Sequence, residues 1–406
     1  MSGRDLLPSL QSAMNAAALK RAGRRRKRVV FLIHSPETFS TIEPVIEELQ
    51  RRADVFDLLF FALPRSYTGG GTRYSGMDST YLFLHQKGLN PVALAGRSMS
   101  DLETLVRLAP DFIFRQSPWE LDIPPVFNSA LLGFAHLCYI PYGMMVGDHP
   151  AAGYNQPFHN ACDFIFCETE FHQSAFMDHR EMGGIGLHLT GYPRTEHFLR
   201  ELESLQDAPW PIDCPEDTPR VIWAPHHSVS TSWLGFSTFL MHKDTMLEEA
   251  RRGRLSILFR PHPALKERLC EGHQIMSSAD YDDYVRAFAA AGCSGVDTRR
   301  EYIGSFAASD CLLTDGVSFF ADYLLTGKPL LRTRREGSLP LNAFGEWLVE
   351  GCDNVDDGEQ LQQVLDALAE RRYVDPKLAL RTERAERLAA LAEGASRRVV
   401  DTLQAW

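Results

Sequence analysis

The sequence predicts an α/β protein built from two Rossmann-like domains. Apolar runs such as residues 28–35 (RVVFLIHS) and 311–314 (CLLT) are typical of buried strands, and stretches with helical spacing separate them. Strands that alternate with helices in this way form parallel sheets covered by helices. A chain of 406 residues, 44% hydrophobic and 23% charged, is long enough for two such domains.

The composition argues against two classes of protein. A membrane-spanning helix needs roughly 20 uninterrupted apolar residues, and no window of the sequence approaches that length. The formal net charge of -11 argues against general binding of nucleic acid, because a phosphate backbone is bound mainly by an excess of Lys and Arg. The eight cysteines are scattered singly, which is typical of reduced thiols. We therefore expect a cytoplasmic protein with a small partner.

Residues 1–27 predict an arm in front of the first strand. Apolar residues at positions 6, 7, 10, 14, 17 and 18 fall on one helical face, and a basic run at 20–28 follows them. An amphipathic helix followed by a basic cluster binds anionic membrane surfaces, so one interpretation is peripheral attachment to the inner face of the cell membrane. The alternative is a solubilising arm.

Residues 28–200 predict the first domain. Its helix is expected at 40–53, and its later strands at 57–63, 111–115, 163–167 and 187–190. Between them, residues 64–80 include three consecutive glycines and few large aliphatic side chains, which is typical of a mobile surface loop.

Residues 201–220 are polar and rich in proline, and they predict a linker to a second domain at 221–406. Polar side chains follow three predicted strands of that domain. They are His226, His227 and Ser228 after the first strand, Arg260 and His262 after the second, and Asp315, Gly316 and Ser318 after the third, with Lys328 beyond the next helix. Ligands of open α/β sheets bind at the carboxyl ends of the strands, so these groups predict one site.

The residue types at these strand ends suit a phosphate. The helix that starts beside Ser318 offers unpaired backbone N–H groups, which bind anions. Arg, His and Ser side chains neutralise a pyrophosphate and stabilise a leaving phosphate. The alternative is that each turn is structural, but matching groups at three strand ends favour a site.

Four other residues imitate a metal site: His159, Cys162, Cys167 and His172. Cys162 and Cys167 lie an odd number of residues apart across an extended run, so their side chains point to opposite faces. We expect no zinc there.

Tyr142, Asp148 and His149 are candidates for proton transfer in the first domain. They follow a predicted strand, and each is able to assist removal of a proton from an acceptor hydroxyl. The alternative is that they only shape the loop before Pro150.

Five motifs together resemble the CDP-glycerol glycerophosphotransferases of teichoic-acid and capsule synthesis. They are residues 190–195 (TGYPRT), 223–225 (WAP), 260–263 (RPHP), 313–318 (LTDGVS) and 325–329 (LTGKP), in the family's order. The resemblance implies a GT-B fold, in which two Rossmann-like domains face each other across a cleft. It also implies that the second domain holds the cytidine nucleotide, the first holds the acceptor, and no metal or other cofactor is required.

Carried over by residue, Arg260 and His262 match the phosphate-contacting motif, and Asp315 and Ser318 match the turn at the helix start. The chain departs from the family where Tyr142 replaces the histidine of the presumed base. An unperturbed Tyr titrates at about 10, whereas a His at about 6.5 is poised for neutral pH. We therefore expect His149 to be the base, with Asp148 orienting it or acting in its place.

The predicted function is transfer of a polyol phosphate, glycerol phosphate above others, from a CDP-activated donor to a hydroxyl of a cell-surface glycan or its lipid-linked precursor. Two alternatives remain. One is a GT-B glycosyltransferase that uses a CMP-sugar or UDP-sugar, and the other is an inactive nucleotide-binding assembly subunit.

Overall fold

The computed structural model describes residues 14–66, 74–230 and 234–406. The chain divides into two compact units. The first unit contains the chain up to Met144, His149–His197 and Leu391–Trp406, and the second contains Met145–Asp148 and Phe198–Ala390.

The first unit is built on a parallel sheet that has seven strands within the described residues. The strands are β1 Lys27–Ile33, β2 Phe56–Ala62, β3 Pro91–Ala93, β4 Phe112–Arg115, β5 His136–Tyr139, β6 Phe164–Cys167 and β7 Leu187–Leu189, and their order is β3-β2-β1-β4-β5-β6-β7. Its helices are Glu43–Arg51, Met77–Gln86, Met99–Leu108, Pro150–Tyr154, Pro157–Ala161, Glu170–His179, Pro193–Ser204, which continues into the second unit, and Ala395–Ala405. Short 3₁₀ turns lie at Pro36–Thr41, Pro125–Phe127 and Ser129–Leu131.

Strand β1 lies inside the sheet, between β2 and β4, and its side chains are apolar on both faces. Residues 29–33 are buried, as expected for a strand of a parallel sheet that helices cover on both sides. On one face the ring of Phe31 lies between those of Phe60 and Phe114, with centroids 5.5 and 5.0 Å away. Such aromatic contacts between neighbouring strands hold the register of the sheet.

The second unit repeats this plan with six strands among the described residues. They are β8 Arg220–Ala224, β9 Ser256–Phe259, β10 Gly295–Val296, β11 Cys311–Thr314, β12 Leu330–Thr333 and β13 Asp353–Val355, all parallel, in the order β10-β9-β8-β11-β12-β13. Its helical segments are Phe239–Arg252, Leu265–Glu267 with a π-turn at Arg268–Gly272, Ser278–Ala289, Ile303–Ala308, Val317–Leu324, Ala343–Val349, Gly358–Ala369 and Leu378–Ala392.

Both sheets therefore have a point where the strand order reverses. It lies between β1 and β4 in the first unit and between β8 and β11 in the second. The crevice outside the carboxyl ends of the two strands at such a switch point is where doubly wound folds bind ligands. The α/β class and the two Rossmann-like units are confirmed, while their arrangement across a cleft stays a prediction.

The predicted boundary of the second domain at 406 is wrong, because the last helix belongs to the first unit. Val399, Val400 and Leu403 are buried in the first unit's core, and Lys27 Nζ donates to the carbonyl of Gln404 at 2.8 Å. A glycine at position 191, with φ of 76°, permits this return, since a Cβ there would collide with the carbonyl oxygen of residue 391.

The predicted linker at 201–220 is also wrong. Its first residues complete the helix Pro193–Ser204, and the remainder packs on the second unit. Trp210 is only 9% exposed, and its indole N–H donates to Ser256 Oγ at 2.8 Å. Prolines shape this segment, but a buried and hydrogen-bonded tryptophan makes it part of the domain.

The amino-terminal arm is fixed to the first unit wherever it is described. Residues 14–22 are helical, Arg21 donates to the carbonyl of Pro110 at 3.1 Å, and Arg24 pairs with Asp111 at 2.8 Å. The predicted apolar positions 6, 7 and 10 and the three glycines at 69–71 lie outside the described residues. Within the described residues, no helix combines the length and apolar character needed to cross a bilayer.

Candidate active site

The candidate site lies at the switch point of the second unit. Strands β8 and β11 pair in parallel with Ala224 opposite Thr314, so residues 225–228 and 315–318 leave the sheet side by side. The first of these segments continues β8 into His226, and the second leads from β11 into the helix Val317–Leu324. The sequence predicted donor-binding residues at this edge for the same reason.

Asp315 fixes this edge of the sheet. It is only 3% exposed, and its carboxylate accepts the backbone N–H of His226 at 2.5 Å, the hydroxyl of Thr238 at 2.7 Å and the backbone N–H of Thr238. Burial raises the pKa of Asp315 to about 6, although these hydrogen bonds oppose the shift. Asp315 was predicted to bind the donor directly, but its carboxylate is occupied by the protein, so it acts as an anchor for the binding loop.

Three imidazoles meet beside this anchor, and we call His226, His227 and His262 the histidine cluster. The ring of His227 lies 4.2 Å from that of His226 and 4.2 Å from that of His262, measured between centroids. His226 Nδ1 accepts the backbone N–H of Ser228 at 3.2 Å, and His262 Nδ1 accepts that of Ala264 at 3.1 Å. Each of these two rings therefore carries its proton on Nε2, which is left to donate.

The histidine cluster is electrically neutral near pH 7. Burial lowers the pKa of His227 to about 4 and of His262 to about 3, and it lowers the pKa of His226 well below the ordinary value. The nearby His227 also opposes protonation of the other two rings. The sequence suggested that these groups neutralise a pyrophosphate, but the structure makes them N–H donors without charge. Nδ1 of His227 is buried and has no hydrogen-bond partner among the described residues.

Ser228 and Gly316 shape the loops around the histidine cluster. Ser228 Oγ lies 2.7 Å from His226 Nδ1 and accepts the backbone N–H of Phe236 at 3.0 Å, so it holds the ring and the loop together. A Cβ on Gly316 would approach Thr314 Oγ1 to 2.9 Å, which explains the lack of a side chain. That hydroxyl accepts the N–H of Gly316 at 2.8 Å.

The helix Val317–Leu324 begins next to this loop, and its start is open. Gly316 is the N-cap residue and provides no side-chain acceptor, whereas Ser318 is exposed in the first turn. The first N–H groups of a helix have no partner within it and point outward, so an anion finds donors here. Binding of a donor phosphate at this helix start stays a prediction.

Arg260 was predicted to contact the donor phosphates, but its guanidinium is held inside the protein. It pairs with Asp297 at 2.6 Å and donates to the carbonyls of Arg299 at 2.6 Å and Arg300 at 3.3 Å. Arg260 is 7% exposed and Asp297 is 3% exposed. This buried pair fixes the loop after β10. The sequence did not reveal the pair, because β10 has only two residues and was not recognised as a strand.

Lys328 was also predicted to bind the donor, but the structure places it elsewhere. It directly precedes Pro329 and β12, so it lies at the amino edge of the sheet, opposite the strand ends that carry the histidines. Its Nζ donates to the carbonyls of Phe306 at 3.1 Å and Ser309 at 2.7 Å. A cation at the last carbonyls of the helix Ile303–Ala308 is a common C-terminal cap.

Of the three residues predicted to transfer a proton, Asp148 lies in a different unit from Tyr142 and His149. Tyr142 and His149 belong to the first unit, whereas Asp148 belongs to the second. The backbone N–H of Asp148 donates to the carbonyl of Pro340 at 2.7 Å, next to the bridge between residues 147 and 341, and its side chain is exposed. These contacts tie the segment around Asp148 to the second unit.

Tyr142 and His149 differ in their suitability as a base. Tyr142 Oη accepts the indole N–H of Trp119 at 3.3 Å, and burial raises the pKa of Tyr142. Its phenol therefore stays protonated at neutral pH and is a poor base. His149 is the N-cap residue of the helix Pro150–Tyr154, and its role as a base stays a prediction.

The four residues that imitate a metal site have other contacts. His159 Nδ1 accepts the N–H of Gln156 at 3.1 Å, and His172 Nδ1 lies 2.8 Å from Thr169 Oγ1. Among the residues that the structure describes, no group of three or more His, Cys, Asp or Glu side chains is arranged to hold a metal ion.

The family comparison covers the histidine cluster and its surroundings. Residues 150–336 match the family described as CDP-Glycerol:Poly(glycerophosphate) glycerophosphotransferase. Over this segment the chain is similar to that family. The resemblance drawn from the five motifs is therefore confirmed, since all five lie within the matched residues. No curated protein shows significant sequence similarity to the chain.

Solved structures resemble the whole chain in fold. UDP-GlcNAc 2-epimerase from Neisseria meningitidis bound to UDP-GlcNAc has a TM-score of 0.57 at 15% identity, covering 93% of this chain and 99% of that one. The wall teichoic acid polymerase TagF has a TM-score of 0.56 at 12% identity, covering 98% and 93%. A TagF structure with CDPG scores 0.54 at 12% identity with the same coverage. At these identities the likeness shows the fold, which is of the GT-B type.

Three residues that lie in or beside the carboxyl edges of the two sheets were missed from the sequence: Thr238, Asp297 and Glu168. Thr238 and Asp297 hold Asp315 and Arg260, respectively. Glu168 directly follows β6 in the first unit and is 2% exposed. The only local signal for Glu168 was its place after an apolar strand, the same signal that identified Asp315.

Proposed function

We propose that this chain is a glycerophosphotransferase that moves glycerol phosphate from CDP-glycerol to a hydroxyl of a cell-surface glycan or its lipid-linked precursor, releasing CMP. The observation that carries the proposal is the position of the histidine cluster. It lies inside the family segment and at the switch point where a doubly wound sheet binds its ligand.

The site is suited to hold a pyrophosphate by directed N–H groups. His226 and His262 each have Nε2 left to donate, and the open start of the helix Val317–Leu324 adds backbone donors. Donors fixed in a water-poor site stabilise charge that develops on a leaving phosphate, because they need no reorganisation during the reaction. Asp315 and the Arg260–Asp297 pair keep the two loops in place.

The reaction is an in-line displacement at the phosphorus that carries glycerol. The acceptor oxygen forms a bond to this phosphorus while the bond to the oxygen of CMP breaks, and the acceptor hydroxyl gives up its proton. The side chains of the histidine cluster supply binding, orientation and hydrogen bonds to the phosphoryl oxygens. The proposed reaction requires no cofactor beyond the CDP-activated donor.

The proposal includes a cytoplasmic location with contact to the membrane surface. Lys20, Arg25 and Arg26 are exposed at the end of the amino-terminal arm, although Lys20 and Arg26 each donate to a backbone carbonyl of the first unit, whereas Arg21 and Arg24 are half-buried against that unit. Exposed cations close together attract anionic lipid headgroups, which would bring the enzyme to a lipid-linked acceptor.

The test is a comparison of donors. The pure protein is incubated with CDP-glycerol, CDP-ribitol, a CMP-sugar and UDP-GlcNAc in the presence of a hydroxyl acceptor, and the released nucleotide is measured. We expect CMP from CDP-glycerol above the other donors. Release of UMP or UDP would favour a sugar transferase, epimerisation of UDP-GlcNAc would favour that reaction, and binding of CDP without turnover of any donor would favour an assembly subunit.

A further inference from the structure

The carboxyl group of Glu168 is buried without a partner. Glu168 is 2% exposed at the carboxyl end of β6, and neither of its carboxyl oxygens has a hydrogen-bond partner in another described residue. Buried polar groups are nearly always hydrogen-bonded, and a carboxyl group without partners destabilises the fold. A buried carboxyl group without a partner, at the edge of the sheet where ligands bind, therefore indicates a functional role.

The groups around Glu168 come from three neighbouring strands. Tyr139 ends β5 and interacts electrostatically with Glu168, with Tyr142 on the loop after β5, and with Tyr192 after β7. Cys167, the last residue of β6, also interacts with Glu168. These titratable neighbours are phenols and a thiol, which are uncharged at neutral pH, and no cation among the described residues offsets the cost of burying Glu168.

Burial sets the titration of this carboxyl. It raises the pKa of Glu168 to about 8, and only the residue's own backbone opposes the shift. About a tenth of the molecules are then ionised at pH 7, and a base with a pKa close to the working pH is the most efficient. Tyr142 cannot act as this base, because its raised pKa keeps the phenol protonated at neutral pH.

We propose that Glu168 accepts the proton of the attacking acceptor hydroxyl, a role that rests on the proposed transferase function. The O–H bond of the acceptor breaks, its electron pair forms the new bond to phosphorus, CMP leaves with the electrons of the broken P–O bond, and the proton ends on a carboxylate oxygen of Glu168. Tyr142 Oη, which accepts from Trp119, still has its own hydrogen to donate to the acceptor oxygen.

The burial of Glu168 fits this role. Its two unpartnered oxygens are able to accept the hydrogen bond that a substrate hydroxyl brings, and a site poor in water keeps the carboxyl from titrating at its ordinary pH. Tyr142, half-buried on the loop after β5, shares Tyr139 with Glu168 as a neighbour. The substrate class is therefore a hydroxyl compound that reaches the carboxyl edge of the first unit's sheet.

The test is Glu168→Gln, which keeps the shape of the side chain and removes its ionisation. We expect transfer to fall about 100-fold while the affinity for CDP stays within about twofold of wild type. The rise in the wild-type rate with an apparent pKa of about 8 should disappear in the variant. Glu170→Gln, an exposed position two residues along, is the matched control and should retain both the rate and its pH dependence.

A thermal readout keeps the test valid if the variant is inactive for structural reasons. Glu168 has a higher pKa in the folded than in the unfolded chain, where it is about 4.3. The wild-type melting temperature should therefore fall as the pH rises from about 5 to about 8, and this fall should be smaller in Glu168→Gln. A variant that melts well below wild type at about pH 5, where both side chains are neutral in the folded chain, would show a structural role instead.

Three results would overturn the proposal. They are full transfer by Glu168→Gln, persistence of the pH-dependent rise in that variant, and loss of the rise in His149→Asn but not in Glu168→Gln. Failure of the proposed function looks different, because wild-type protein would then release no CMP from CDP-glycerol at any pH. The pH dependence of the melting temperatures would still report whether Glu168 ionises as inferred.

Discussion

Asp315 and Glu168 occupy equivalent places in the two units. Each is the first residue after a strand, β11 or β6, and they are 3% and 2% exposed. Burial raises the pKa of Asp315 to about 6 and that of Glu168 to about 8. The difference lies in their partners, since Asp315 accepts hydrogen bonds from His226 and Thr238, whereas the oxygens of Glu168 accept none from the described residues. Equal burial thus produces a structural anchor in one unit and an available acid–base group in the other.

The largest effect is expected from removing the anchor. In Asp315→Ala the backbone N–H groups of His226 and Thr238 are left buried without an acceptor, and the Thr238 hydroxyl keeps only Thr333 Oγ1 as a partner. Hydrogen bonds to a charged group contribute about 1.5–3 kcal/mol each, so we expect clear loss of thermal stability and a loss of CMP release of roughly 1,000-fold. Asp315→Asn, which keeps one acceptor oxygen, should lose less. Wild-type stability in Asp315→Ala would contradict the role of anchor.

The next effect concerns the histidine cluster itself. His262→Ala removes one N–H donor without removing a core contact, so the transfer rate should fall on the order of 100-fold while the melting temperature changes little. His273→Ala, at an exposed position of the same unit, is the control and should behave as wild type. Near wild-type turnover in His262→Ala would place the donor phosphates elsewhere.

Arg260 resembles Asp315 in that its charged group is bound by another side chain of the protein, here that of Asp297. Arg260→Ala leaves Asp297 buried with Arg299 as its remaining cationic partner among the described residues, and breaking a buried pair costs about 3–5 kcal/mol. We expect lower thermal stability together with a change in CDP affinity of less than about tenfold in the folded fraction, because the guanidinium faces the protein. A large loss of affinity for CDP with unchanged stability would instead show that Arg260 contacts the donor phosphates directly, as the sequence predicted.

The smallest expected effect is that of pH on donor binding. His227 and His262 have pKa values lowered to about 4 and about 3, so both stay neutral from about pH 6 to about pH 8. The affinity for CDP-glycerol, whose phosphates do not titrate in this range, should change by less than about twofold. Calorimetry at several pH values in this range would measure it. A steep loss of affinity as the pH rises through about 6.5 would show that cationic histidines hold the phosphates.

The strand ends of the second unit were predictable from the sequence because the relevant signals are local. An apolar run followed by polar residues marked the end of β11 at Thr314 and the positions of His226 and His262. The partners of these residues were not local. Thr238 is 77 residues from Asp315, Asp297 is 37 residues from Arg260, and no sequence periodicity connects either pair.

The wrong prediction for Lys328 and the omission of Glu168 both concern features that only the folded chain shows. Lys328 is close in sequence to the helix of the candidate site, yet the chain has crossed to the other edge of the sheet before it reaches β12. Glu168 was missed because nothing in the local sequence distinguishes it from an exposed acidic residue that complements the dipole of the following helix. Its burial follows from packing among β5, β6 and β7, which only the folded chain reveals.

The most direct test of the central claim, that the histidine cluster holds the cytidine donor, is a titration with CDP followed by the side-chain ¹H–¹⁵N signals of the histidines. We expect the signals of His226, His227 and His262 to shift together and to saturate at one ligand per chain, with the response lost in His262→Ala. Shifts confined to other histidines, or saturation without any change in these three, would contradict the account.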